Sequence, residues 1–126
     1  MLKDRSSSAI VAVSDIDRSR RFYEDTLGLK VVDDSMGEVL VFATGSTHLV
    51  IYRSDEAGTN RANAVVWGVG DEIETIVADL RGKGVEFERY DMPNVTFADG
   101  LYRSGDFRMA WFKDPDGNIL HLNSDG

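Results

Sequence analysis

With 126 residues, 42% of them hydrophobic and 29% charged, the chain has the length and mixture of one globular domain, able to bury a core but too short for two independent ones. Its net charge of −8, from 14 Lys and Arg against 22 Asp and Glu, argues against nucleic acid, which needs clustered cations to displace counterions. The absence of cysteine removes disulfides, thiolate nucleophiles and Cys-ligated zinc, and fits a reducing compartment. No apolar run reaches the roughly 18 residues of a membrane span, and residues 1–8 are polar where a signal peptide would be apolar. The expectation is a cytoplasmic protein with neither a nucleic-acid nor a membrane partner.

In chain order, residues 8–13 alternate, with Ala9, Val11 and Val13 on one face and Ser8, Ile10 and Ala12 on the other, which is strand periodicity. Ser14 and Asp15 offer N-cap side chains to a helix whose Ile16, Tyr23 and Leu27 share a stripe. Gly28 ends it where a left-handed residue is wanted. Residues 29–32, 38–43 and 49–52 follow as three β-branched or aromatic runs, parted by residues 33–37 and by Thr44-Gly45-Ser46. The first half therefore reads βαβββ.

The second half repeats this order. Residues 64–69 form a predicted strand, Asp71 and Glu74 a predicted capping box, and Ile73, Ile76, Val77 and Leu80 the apolar stripe of a helix closed by Gly82 and Gly84. Val69 and Gly84 each stand 56 positions after Val13 and Gly28, the mark of an internal repeat. A strand is expected over 85–90, then a loop over 91–106 holding Pro93, Phe97, Gly100, Tyr102 and Gly105, either a functional lid or a solvated connection. Residues 107–113 and 118–123 make a final hairpin around Asp114-Pro115-Asp116-Gly117. Pro115 supplies the φ of a type I turn and Gly117 the positive φ of a bulge, so Asp114 should pair with Asn118 and Trp111 should stand opposite His121.

The stretch VSDIDRSRRFYEDTLGL at 13–29 and the stretch AWFKDPDGN at 110–118 resemble the vicinal-oxygen-chelate superfamily of glyoxalases, bleomycin-resistance proteins and dioxygenases. The resemblance implies an α+β fold in a single domain over 1–126, with modules at about 8–54 and 62–124 forming a curved mixed sheet cavity and carrying their helices outside. It places Ala9, Val11 and Val13, with Val65, Trp67 and Val69, under the helices, so that Trp67 becomes a core residue. Facing the cavity it places Ser8, Ile10 and Ala12, then His48, Val50 and Tyr52, then Ala64 and Val66, and finally Met109, Trp111, Ile119, His121 and Asn123. Metal-dependent relatives carry ligands at the positions of Ser8, Val50, Ala64 and His121. Only His121 of these could hold a divalent ion, and a Lewis-acid site takes about three protein ligands. No metal or other cofactor is therefore expected, a divalent metal held atypically by His48 and His121 being the alternative.

His121 is an imidazole in an apolar setting, able to donate, accept or act as a base, or simply to be a strand histidine bonded to its neighbour. Trp111 and Met109 beside it would pack a planar ligand, with Tyr52 adding a polar tip, unless all three are plain core. The acids Asp15, Asp17, Asp71, Glu72 and Glu74 are explained by helix N-termini. Three functions remain open. The first is small-molecule binding without metal, in the manner of the drug-binding, bleomycin-resistance-like branch. The second is a lyase or isomerase using His121 as base or an atypical metal. The third is an interaction module with a filled cavity. The resemblance also implies a homodimer.

Overall fold

The alternation near the start is realised as β1 (Ala9–Val13) in the computed structural model, which describes residues 1–126. Next come α1 (Ile16–Arg20), continued by a wider π-type turn at Arg21–Thr26, and then β2 (Lys30–Asp33), β3 (Val39–Thr44) and β4 (Thr47–Arg53). The strands lie in the order β1-β4-β3-β2, with β1 parallel to β4 and the two hairpins antiparallel. These elements make up one compact unit, Met1–Asn60.

Alternation decides its core. Val11 pairs with Ile51, which pairs with Leu40, and Leu49 pairs with Phe42. All five are exposed by 3% or less, as are Val13 and the helical Tyr23, whose ring lies 5.8 Å from that of Phe42. Burying each such side chain contributes about 1.5–3 kcal/mol. Asp15 caps the helix as expected, its Oδ1 accepting from the Arg18 N–H at 3.0 Å, and this bond holds its carboxyl below the usual range. At the other end Leu27 N–H donates to Phe22 and Leu29 N–H to Tyr23, with Gly28 at φ +77° between them.

The second unit, Arg61–Gly126, holds β5 (Asn63–Gly68), a 3₁₀ turn at Gly70–Glu72, α2 (Ile73–Gly82), β6 (Thr96–Ala98), β7 (Leu101–Ser104), β8 (Phe107–Lys113) and β9 (Ile119–Asn123). Their order is β5-β9-β8-β7-β6, β5 running parallel to β9. Ile73, Val77 and Leu80 of α2 are buried, as are Leu101, Ala110, Phe112, Leu120 and Leu122 of the sheet. Gly84 repeats the left-handed φ of Gly28, at +90°. The order β5-β9-β8 answers β1-β4-β3, so the repeat is present in three dimensions. The two sheets, of four and five strands with few helices, make a mixed α+β fold.

The final hairpin has the expected register, Trp111 opposite His121. Gly117 sits at φ +88°, and Asp114 N–H donates to Asn118 at 3.0 Å. Asp114 is only 4% exposed. Its carboxylate accepts from the N–H groups of Asp116 and Asn118 and from Asn118 Nδ2, at 3.0, 2.8 and 2.8 Å.

Four expectations are corrected. Residues 85–90 form no strand: Phe87 bridges Phe112 and Glu88 N–H donates to Trp111 at 2.7 Å, because β7 already pairs with β8 over Phe107, Arg108 and Met109. Residues 91–106 are not a plain loop, since β6 and β7 form a hairpin there around Asp99 and Gly100, at φ +55° and +83°. Asp71 and Glu74 make no capping box. No side chain caps α2, and both carboxylates instead engage Arg108 of β8, at 2.9 and 2.8 Å. Trp67 pairs with Leu122 on the helix-bearing face, yet it is half-buried rather than core, its indole being too large for the space that covers the smaller Leu122.

Candidate functional site

Across the sheet of the second unit, on the face away from α2, one row of the register runs Val66, His121, Trp111. The next runs Gly68, Asn123, Met109, Tyr102, Phe97. Strand alternation thus gathers an imidazole and three aromatic rings onto one surface. The Trp111 and His121 rings are stacked, 4.5 Å apart and 20° from parallel. Tyr102 meets Trp111 edge-on at 5.6 Å and Phe97 at 4.6 Å, while Tyr90 closes on Trp111 edge-on from the segment after α2, at 5.7 Å. These are favourable geometries for ring pairs, each adding about 0.5–1.5 kcal/mol beyond burial.

Tyr102 is the anchor of this surface. Only 2% exposed, its hydroxyl accepts a short hydrogen bond from Tyr90 N–H and donates to Tyr90 C=O at 3.0 Å. One side chain thereby does the work of a missing ladder pair and holds Tyr90 against Trp111. Burial, with the nearby Glu88 carboxylate, raises the Tyr90 hydroxyl pKa, so the phenol stays protonated at neutral pH.

A chain of hydrogen bonds fixes His121. Asp125 N–H donates to Asn123 Oδ1 at 3.1 Å, which turns the amide so that Nδ2 faces His121 Nε2 at 3.4 Å. A donor facing Nε2 makes that nitrogen the acceptor, and Nδ1–H then donates to the Ala110 carbonyl at 3.1 Å. Burial pushes the pKa of His121 down, against the smaller opposite pull of the Ala110 carbonyl. The lowered pKa favours the neutral imidazole, whose Nε2 lone pair faces Asn123 Nδ2.

Five of the other expected residues, Ser8, Ile10, His48, Val50 and Tyr52, belong to the first unit. Ile10, Val50 and Tyr52 share one face of the first unit's sheet, with Ile10 opposite Val50. Ile10 is 67% exposed, and Val50 and Tyr52 are half-buried. His48, opposite Ala43, is exposed beside the β3–β4 turn. Ser8 lies before β1 and is exposed, so it belongs to no sheet face. Ala64 sits in a bulge, where β5 advances from Asn63 to Val65 while β9 advances one residue, so simple alternation misplaces it. Of the expected residues of the second unit, Met109, Trp111 and His121, with Val66, Ile119 and Asn123, share this face. Tyr90, Phe97 and Tyr102 were not foreseen there, and the Asp99-Gly100 pair between two short runs was the signal that could have placed the last two.

Of the four positions that the resemblance equates with the ligands of metal-dependent relatives, Ser8, Val50 and Ala64 offer no imidazole or carboxylate, and no group of three or more His, Asp or Glu is disposed to hold a metal. The donor set does not fit a divalent cation. Two concavities of the second unit, of about 520 and 290 Å³, lie off the aromatic surface, and a third, of about 530 Å³, reaches its edge at Phe97. The first is lined by Asp71, Arg103 and Arg108 among others. Arg108 and, at 3.3 Å, Arg103 hold the Glu74 carboxyl below its usual range.

Glyoxalase/Bleomycin resistance protein/Dioxygenase superfamily is the description of the family model that matches residues 5–122. The chain belongs to this superfamily. Its fold is shared with solved superfamily structures at low identity. The fosfomycin resistance protein FosX of Listeria monocytogenes superposes with a TM-score of 0.75 at 15% identity, over 97% of this chain and 91% of that one. Lactoylglutathione lyase of Agrobacterium tumefaciens gives 0.68 at 19%, over 94% and 92%. An integron cassette protein from the mobile metagenome of the Halifax Harbour sewage outfall gives 0.69 at 20%, over 93% and 95%. At such identities the likeness to the solved structures concerns the fold. No curated protein matches the chain.

Proposed function

We propose that the protein binds a planar organic small molecule on the aromatic surface of its second unit, without a resident divalent metal, in the manner of the superfamily's bleomycin-resistance-like branch. The observation that carries the reading is the stacked Trp111–His121 pair, half-exposed and buttressed by Tyr90 and Tyr102. A flat ring laid beside it gains apolar contact and stacking, and Met109 supplies a polarizable neighbour. The net charge of −8 favours neutral or cationic ligands over anions.

The donor set supports the metal-free part of the reading. FosX of Listeria monocytogenes has been crystallised in complex with Mn(II) and 1S,2S-dihydroxypropylphosphonic acid, whereas here three of the four family positions offer no imidazole or carboxylate. A second reading, a lyase or isomerase with His121 as base, is favoured by the lowered pKa of the imidazole and by an Nε2 that accepts only a long bond from Asn123 Nδ2, at 3.4 Å. A cytoplasmic homodimer completes the proposal. Absence of cysteine supports the compartment, no helix is long and apolar enough to cross a membrane, and superfamily membership supports the dimer.

Native mass spectrometry and elemental analysis of protein purified without chelator test this. Substoichiometric divalent metal is expected. One transition-metal ion per chain in the wild type, lost in His121→Ala, would overturn the reading and move the protein to the metalloenzymes.

A further inference from the structure

The bond between Asn123 Nδ2 and His121 Nε2, at 3.4 Å, is at the long limit for such a contact, so both groups are only weakly satisfied. Their polarity is nonetheless fixed from behind: Asp125 N–H holds the amide oxygen, and the Ala110 carbonyl holds the Nδ1 proton. Side by side, at the edge of a stacked ring pair, stand one committed acceptor and one committed donor. Both residues are half-buried, and the neighbouring Val66 and Met109 offer no competing polar atom.

We propose that this pair recognises the hydroxyl of a planar phenol or enol, the O–H donating to His121 Nε2 and its oxygen accepting from Asn123 Nδ2. The inference rests on the reading that the aromatic surface binds a flat ring, and adds what that ring must carry. A hydroxyl is the small group that donates and accepts at one atom. A carboxylate meets the Nε2 lone pair with another lone pair. An ether satisfies Asn123 but leaves His121 unmatched, and an ammonium does the reverse. Sites built from a donor and acceptor discriminate more sharply than apolar pockets, because the wrong group leaves them unpaired. The lowered pKa of His121 agrees with a permanent acceptor at neutral pH.

The test uses the full chain and three naphthalenes of one shape: 2-naphthol, 2-methoxynaphthalene and 2-naphthoate. Binding is read from the NMR signals of the two indole N–H groups and two imidazoles, assigned with Trp67→Phe and His48→Asn. The naphthol is expected to shift the Trp111 and His121 signals and to bind about tenfold tighter than the ether, one net hydrogen bond's worth, with the naphthoate weakest. In His121→Phe, which keeps a flat ring beside Trp111, the preference should vanish while the ether binds as before. Should that variant fail to fold, Asn123→Ala is the second check: it should weaken naphthol and ether alike, since both accept from Asn123 Nδ2, and unchanged binding of both would overturn the donor half of the proposal. Equal binding of naphthol and ether, or a preference for naphthoate, would overturn the hydroxyl proposal and leave the planar-ring reading standing. If none of the three moved the Trp111 signal, that reading would fall too.

Discussion

Replacing Tyr102 by Phe removes one oxygen and keeps the ring. The contacts to Phe97 at 4.6 Å and Trp111 at 5.6 Å persist, so the change isolates the two bonds to the Tyr90 backbone. Leaving a donor and an acceptor unpaired costs about 1–3 kcal/mol for a fully buried group. Tyr90 is 37% exposed, and water can reach the freed groups in part, which puts the expected loss in the lower half, at about 1–2 kcal/mol. The residues around Tyr90 form no ladder of their own, being tied to β8 by Phe87 and Glu88. The loss should therefore appear as local opening more than as global unfolding. Hydrogen exchange resolved to single amides is the assay: protection of Tyr90 N–H should fall by roughly 5- to 30-fold, since about 1.4 kcal/mol is a factor of ten. The amides of β9 should keep theirs. An unchanged Tyr90 amide would refute the anchor, and an equal loss across β8 and β9 would show that the segment does not open on its own.

Ser19 offers the opposite sign. It is fully buried on α1 and its Oγ has no hydrogen-bond partner, so Ser19→Ala should stabilise the chain by about 1 kcal/mol in urea unfolding, through relieved desolvation and better helix propensity. A loss of similar size would mean that the hydroxyl is bonded in solution. Acid stability gives a further check through Glu74, whose carboxyl is held below its ordinary value of 4.5 by Arg108 and then Arg103. The folded state favours the ionised form, so this contribution is fully present above the ordinary value and is lost as the pH falls through the lowered one. Thermal unfolding followed from pH 7 to pH 2 should show a shallower acid decline in Glu74→Gln, and an identical decline in both proteins would remove the Arg108 pair from the account.

How much of this could be read in advance depended on the range of the interaction. Local signals read well: the alternation of Ala9, Val11 and Val13, the left-handed Gly28 and Gly84, and the Asp114–Asn118 turn that sets Trp111 opposite His121 all depend on neighbours in sequence. Long-range competition did not. Asp71 and Glu74 have the spacing of a capping box, but Arg108 arrives from 37 and 34 positions away with a charge that outbids the backbone N–H groups. Strands of three and four residues, β6 and β7, are too short to show a period, so Tyr102 passed for part of a loop. A single bulged residue, Ala64, shifts the alternation of β5 and is invisible to any rule that assumes period two.

The β6–β7 hairpin is joined to the rest of its sheet only through the outer half of β8, from Phe107 to Met109. The register that brings Trp111 to His121 is set at the opposite end of β8, by Asp114 and Asn118. The two ends are thus free to evolve separately. Insertions or deletions near Asp99, or between Tyr90 and Thr96, can reshape the border of the aromatic surface while its stacked centre stays in place. Under the proposed binding role, one scaffold can in this way be retuned to a succession of differently sized molecules without renegotiating its folding.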